Sequence, residues 1–239
     1  MKLEKIYEDD HMVAFNKPSG LLSIPDRFNA DIPNLFKLAA QMYEQIFVVH
    51  RLDKDTSGII CFAKTEAAHK HLSQAFENRE VEKFYMSIVA GRMQQEKGSI
   101  IAPIAENPSI KGQMVVYRKG KYSHTDFETL KVWKSYSLVK LQIHTGRTHQ
   151  IRVHMKHLGC PVVADPIYFD GKAIFLSNIK KGFKLADKEG LGEERPLLSR
   201  LALHAAELRL KDINGNPLVI EAPLPKDMSA TVKQLDKWG

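Results

Sequence analysis

Residues 48–58 read VVHRLDKDTSG, from Val48 to Gly58. A short apolar strand gives way to a polar loop carrying Asp53 and Asp55, which returns through Thr56, Ser57 and Gly58. At its plainest this is a turn whose Asp and Thr side chains satisfy backbone donors. Acids at the first and third positions and glycine at the sixth also imitate a calcium-binding loop. Such a loop needs a bidentate glutamate at its twelfth position; that position is Lys64, so the calcium reading fails.

Outward from this loop, the N-terminal side reads as a hairpin. Leu3–Glu8 and His11–Asn16 form strands about an acidic turn, followed by a Pro- and Gly-broken loop from Asn16 to Pro33. Asn34 is placed to cap a helix running through Gln45. On the C-terminal side, Gly58–Lys64 reads as a strand and Thr65 as the cap of a helix with Ala68, Leu72, Ala75 and Phe76 on one face. The period then changes to two: Phe84, Met86, Ile88 and Ala90 share one strand face and Tyr85 takes the other. Val115–Arg118, Thr125–Trp133 and Ser137–Ile143 continue as strands. A helix spans Arg147–Leu158, burying Ile151, Met155 and Leu158, with Gly159 as its stop. His149, Arg152 and Lys156 share a second stripe of that helix. Residues 171–200 read as an extended loop or short helix, before a strand over Leu201–Leu210 and a C-terminal helix. Runs of strands with irregular helices predict an α+β fold whose mixed sheet is largely antiparallel, with flanking helices.

That prediction bears on a second reading of the opening stretch. Asp-x-Asp-x-Ser, with ADPIYFD at Ala164–Asp170, resembles the haloacid-dehalogenase-type phosphatases. There Asp53 would attack phosphorus while Asp55, Asp165 and Asp170 held magnesium. A parallel sheet should then follow, whereas strand runs do, and Ser57 replaces the expected Thr or Val. The segment HTGRTHQIRVH, His144–His154, would also have no task. A metal site from His144, His149, His154 and His157 is disfavoured, because His149 and His154 diverge around a helix. Arg147 and Arg152 at a helix start suit phosphate or carboxylate instead.

Bulk composition narrows the partners. Residues 107–164 hold ten Lys or Arg against Asp126 and Glu128, so this segment carries +8 of a net +7 and the rest sums to −1. One basic segment on a balanced chain is the footprint of a polyanion partner. No apolar run approaches the ~18 residues of a membrane span, and the first residues are neither signal nor transit peptide. Cys61 and Cys160 are too few for a disulfide framework or four-thiolate zinc, and a cytoplasmic location is expected.

HRLDKDTSG, KFYMSIVAG (Lys83–Gly91), HTGRTHQIRVHM (His144–Met155) and LALHAAEL (Leu201–Leu208), in this order, resemble the RluA family of pseudouridine synthases. NKPSGLLSIP (Asn16–Pro25) and IEAPLP (Ile220–Pro225) fit it too, so the resemblance spans nearly the whole chain. It implies a single catalytic domain over residues 1–239, without the S4 RNA-binding domain of many relatives. It also implies Asp53 as the catalytic aspartate, Tyr85 as the tyrosine stacking on the target base, and Arg152 as the partner of Asp53. Arg51 would help displace the base; Arg147 and His149 would contact substrate, and Lys119 and Lys121 the RNA backbone. Implied partners are rRNA or tRNA stem-loops, with no metal or cofactor and a monomeric protein. The chain departs from the family at Ala164, where a glycine is usual, at Phe169, and in a longer 171–200 region.

The implied reaction breaks the N1–C1′ bond of uridine, turns the uracil and rejoins it through C5. It needs an ionised carboxylate, a sheltered pocket and a flipped base. An arginine ~4–6 Å away can lower a carboxyl pKa by about 1–3 units, the task given to Arg152. Unstacking costs a few kcal/mol, and stacking returns ~1–3 kcal/mol per base, the task given to Tyr85 and Arg51. A non-catalytic RNA-binding module is the remaining alternative.

Overall fold

The computed structural model describes residues 3–29, 31–184 and 193–239. Its elements in chain order are β1 (Glu4–Glu8), β2 (Met12–Lys17), α1 (Leu35–Ala40), β3 (Phe47–Val48), β4 (Ser57–Ala63), α2 (Glu66–Glu77), β5 (Glu82–Ala90) and β6 (Lys97–Ile101). There follow β7 (Ile104–Glu106), β8 (Met114–Val116), β9 (His124–Val132), β10 (Tyr136–Ile143), α3 (Gln150–His157), α4 (Leu176–Ile179), β11 (Leu203–Lys211), β12 (Pro217–Glu221) and α5 (Lys226–Trp238). The fold is α+β with a mostly antiparallel sheet, as the strand runs predicted. The chain divides into two compact units. Unit 1 comprises residues 1–85, 142–148 and 203–223; unit 2 comprises 86–141, 149–202 and 224–239.

Unit 1 is a sheet in the order β1–β2–β4–β11–β12, with β3 beside the end of β4. Every residue of β4 is buried, so alternation gives it two apolar faces. Ile59, Cys61 and Ala63 join Ala68, Leu72 and Ala75 of α2 in one core cluster. On the alternate positions, Phe62 packs against Phe15 and Phe36, with ring centroids 6.3 and 6.2 Å away. Thr65 caps α2 as expected, its hydroxyl accepting Ala68 N–H at 3.2 Å. Asn34 caps α1, its side chain accepting Lys37 N–H at 2.9 Å, yet the helix ends at Ala40 rather than Gln45. Past Ala40 the expected apolar face finds no core: Met42 is 52% exposed.

A parallel step in unit 1 joins β4 to β11, pairing Ser57 with His204 and Gly58 with Ala205. Gly58 has φ +112°, and a Cβ there would lie 2.1 Å from the Ala205 carbonyl oxygen. Only glycine lets the strands approach so closely, which explains the residue that ends the opening motif. Ser57 Oγ lies 3.0 Å from His204 Nδ1, a second tie between them.

Unit 2 carries a sheet in the order β5–β10–β9–β6 and a separate β7–β8 hairpin. Helix α3 starts at Gln150, three residues later than predicted, because His149 is left-handed (φ 55°). Gln150 through Met155 are all buried, so of the expected basic stripe Arg152 is inside the unit and Lys156 is exposed, while Leu158 is 40% exposed. The reason is a polar strap onto β9: Gln150 donates to Thr125 Oγ1 at 2.9 Å, and His154 Nδ1 lies 2.9 Å from the same oxygen. His154 Nε2 reaches the Ala102 carbonyl at 2.9 Å, which makes that nitrogen the donor. Burial lowers the pKa of His154, consistent with a neutral ring. Ala164, where the resemblance expects glycine, has φ 56°, a conformation that favours glycine. The strand β12 was not anticipated. Of the 171–200 stretch, α4 is the short helix, and residues 185–192 lie outside the described residues.

Candidate active site

The loop carrying Asp53 is held by its backbone. Lys17 is fully buried, and its ammonium donates to the carbonyls of Pro18 (3.0 Å), Leu21 (2.8 Å) and Lys54 (2.8 Å). A buried charge is tolerable when it is fully hydrogen-bonded, and here it ties the NKPSG loop to the residue after Asp53. Ser19 donates to Asp55 O at 2.6 Å, and Gly20 N–H donates to Lys54 O at 3.0 Å. Ser23 Oγ donates to Leu52 O (2.7 Å) and accepts Leu52 N–H (3.0 Å), clamping the residue before Asp53. Thr56 N–H closes the turn on Asp53 O at 3.2 Å. Sequence reading gave Lys17, Ser19 and Ser23 no task; the signal was their place in NKPSGLLS, with no spacing to Asp53 to reveal it.

Asp53 itself is partly exposed, and Tyr85 is buried within reach of its charge. Burial, then the charge of Asp53, raises the Tyr85 pKa, so the phenol stays protonated. Phe84 and Met86 are only partly buried, whereas Tyr85, Ser87 and Val89 on the other face of β5 are buried, as is Ile88.

Tyr85, though not Asp53, lines a cleft of unit 1 of about 340 Å³, together with Arg51, Arg79, Lys83, Arg147 and Glu77. Four cations thus oppose one acid. Burial and the nearby Arg79 charge lower the Lys83 pKa. The cleft wall is firm: His50 stacks on Phe76 with centroids 4.4 Å apart at 16°, and His50 Nε2 accepts Cys61 N–H at 2.9 Å. Burial, then Lys83, depresses His50 to about 3, so it is a neutral wall residue. Burial pushes the Cys61 thiol up to about 12, which removes it as a nucleophile. Arg79 and Lys83 were missed because they lie outside the basic 107–164 segment.

Arg51, Asp53, Tyr85 and Arg147 therefore belong to unit 1, while His149, Arg152, Lys119 and Lys121 belong to unit 2. Arg152 was expected to serve Asp53 as ion-pair partner. Its Nε and Nη2 grip Asp165 at 2.7 Å each, and both side chains are buried. Asp165 also accepts Ile167 N–H (2.9 Å) and Tyr168 N–H (3.0 Å). Four donors on one carboxylate leave it unsuited to magnesium, which removes a ligand from the phosphatase reading. His149 Nδ1 lies 2.8 Å from Tyr168 Oη, and the His154 ring nitrogens are engaged as above. Lys119 and Lys121 are exposed between β8 and β9. No helix among the described residues is long and apolar enough to cross a membrane.

Residues 11–157 match the RNA pseudouridylate synthase family. The chain is 32% identical over 239 residues to ribosomal large subunit pseudouridine synthase D of Nitrosomonas europaea, covering 98% of this chain and 65% of that one. It is 37% identical over 211 residues to dual-specificity RNA pseudouridine synthase RluA of Vibrio vulnificus, covering 86% of this chain and 76% of the relative. In three dimensions it superposes on human RNA pseudouridylate synthase domain containing 4 with a TM-score of 0.72 at 26% identity, over 98% of this chain and 93% of that one. The chain belongs to the RNA pseudouridylate synthase family, in the branch that contains RluA.

Proposed function

We propose that this chain isomerises selected uridines to pseudouridine in stem-loops of rRNA or tRNA, with the unit 1 cleft receiving the target nucleotide. The observation that carries the reading is the four-cation cleft lined by Tyr85, which lies within reach of the Asp53 charge. Arg51 and Arg147 hold the phosphates flanking the extruded uridine, and Tyr85 stacks on its base. Asp53 is the reacting carboxylate, and its braced loop spares it reorganisation during turnover. Arg152 keeps the catalytic role that the family resemblance gives it, while His149, Lys119 and Lys121 contact RNA outside the target. Both units serve one catalytic domain, and the protein works as a monomer without metal or cofactor.

The testing experiment is isomerisation of unmodified rRNA and tRNA transcripts with chelator present, read by pseudouridine-specific chemical mapping. Pseudouridine at defined sites with wild type, and none with Asp53→Asn at unchanged RNA affinity, supports the assignment. Equal yields from both proteins would overturn it.

A further inference from the structure

Unit 2 contains a second cleft, of about 290 Å³, between the β7–β8 hairpin and α3. Its floor is Met114, Val116, Val153 and Tyr168, and its rim carries the exposed Lys156 and His157. Lys156 Nζ stands 6.0 Å above the Tyr168 ring.

The hairpin edge facing this cleft is polar in a defined way. The ladder pairs Ile104 with Val116, Ala105 with Val115 and Glu106 with Met114. Beyond its ends, Asn107 N–H donates to Gln113 O and Tyr117 N–H to Pro103 O, both at 2.8 Å. Hydrogen-bonded and non-bonded pairs alternate in an antiparallel ladder, so the pairs at Val116 and Met114 are the non-bonded ones. Their peptide groups point to the outer edge of β8. Tyr168, which lines the cleft, is on that edge, because its hydroxyl accepts Met114 N–H at 2.8 Å. Val116 therefore presents an N–H and a C=O side by side above an apolar floor, with a cation at the rim.

Resting on the function proposed above, we propose that this cleft binds one unpaired nucleotide of the RNA other than the target uridine. The base lies on Met114, Val116 and Val153 with its polar edge on the Val116 peptide groups, and its phosphate meets Lys156. Charge selects RNA over an acidic peptide only in part, but length decides. An added peptide strand needs a run of edge residues, and β8 has three. The cleft also belongs to the segment that carries +8.

The test uses full-length protein and unmodified large-subunit rRNA and tRNA transcripts containing 4-thiouridine. Ultraviolet crosslinking followed by peptide mapping should place crosslinks in the peptide bearing Met114–Val116, from a thiouridine that is not isomerised. In parallel, Lys156→Glu should raise KM by about tenfold to a hundredfold, the scale of one lost hydrogen bond to a charged group, with kcat unchanged and with Lys156→Arg restoring KM. Lys233→Glu, an equal charge change on exposed α5, should move KM far less. No crosslink at Met114–Val116, or equal effects of Lys156→Glu and Lys233→Glu, would overturn the cleft assignment. Failure of wild type to make pseudouridine would instead sink the proposed function, and the crosslink would still decide whether the cleft holds RNA.

Discussion

Two aspartate loops of this molecule are built in opposite ways. Around Asp53, Lys17, Ser19 and Ser23 grip the backbone of neighbouring residues. Around Asp165, the carboxylate is itself the grip, taking two bonds from Arg152 and two from its own turn. The first design fixes its loop through neighbouring side chains on the backbone; the second fixes its loop through the acid itself. Both sequences, LDKDT and ADPIY, look alike as acidic turns, and the difference lies in what surrounds them.

This contrast breaks most visibly at Asp53. Asp53→Asn should lower turnover by about a thousandfold or more while thermal unfolding shifts little; a matching loss of stability would make Asp53 a structural residue like Asp165. Asp165→Asn should do the reverse and destabilise by about 3–5 kcal/mol, since it strands a buried guanidinium. Denaturant unfolding of that variant reads the cost, and a near-neutral result would show that Arg152 finds another carboxylate.

How far this was legible in advance follows from the same residues. The α+β class, the caps at Asn34 and Thr65, and the strand over residues 57–63 were readable because propensity and periodicity act locally. Arg51 and Tyr85, which line the cleft, were named through the resemblance. The Arg152–Asp165 pair, thirteen residues apart across a turn, was not, because an ion pair leaves no periodic trace. Arg79 and Lys83 were hidden because a charge count by segment ignores which strands and helices meet. The late start of α3 reflects the left-handed His149, which no propensity foretells.

The bracing of the Asp53 loop gives the next test. Lys17→Met should cost about 2–3 kcal/mol, because three carbonyls, that of Leu21 buried, lose a charged donor, and it should lower kcat more than it raises KM. Unchanged kinetics would mean that the loop is set by Ser19 and Ser23 alone.

The neutral wall of the cleft predicts a pH effect with a defined sign. His50 is depressed in the fold to about 3 from an ordinary value of 6.5. The unfolded chain therefore binds the extra proton between those values, and stability falls as pH drops below 6.5. The expected loss from pH 6.5 to pH 5 is at most about 2 kcal/mol. His50→Asn should flatten that slope, and an unchanged slope would assign it to other groups. The smallest effect concerns the turn before Asp165. Ala164→Gly should stabilise by about 1 kcal/mol or less, the relief of a left-handed alanine offset by glycine's greater entropy loss. A clear loss of stability would show that the alanine methyl packs well enough to outweigh its backbone.

The most direct test of the central claim is tritium release from unmodified rRNA and tRNA transcripts labelled at uracil C5, with EDTA present and Asp53→Asn alongside. The braced-loop account predicts release by wild type and none by the variant, with both proteins binding RNA and unfolding at the same temperature. Release by the variant at the wild-type rate, or no release by wild type from any of these RNAs, would contradict it.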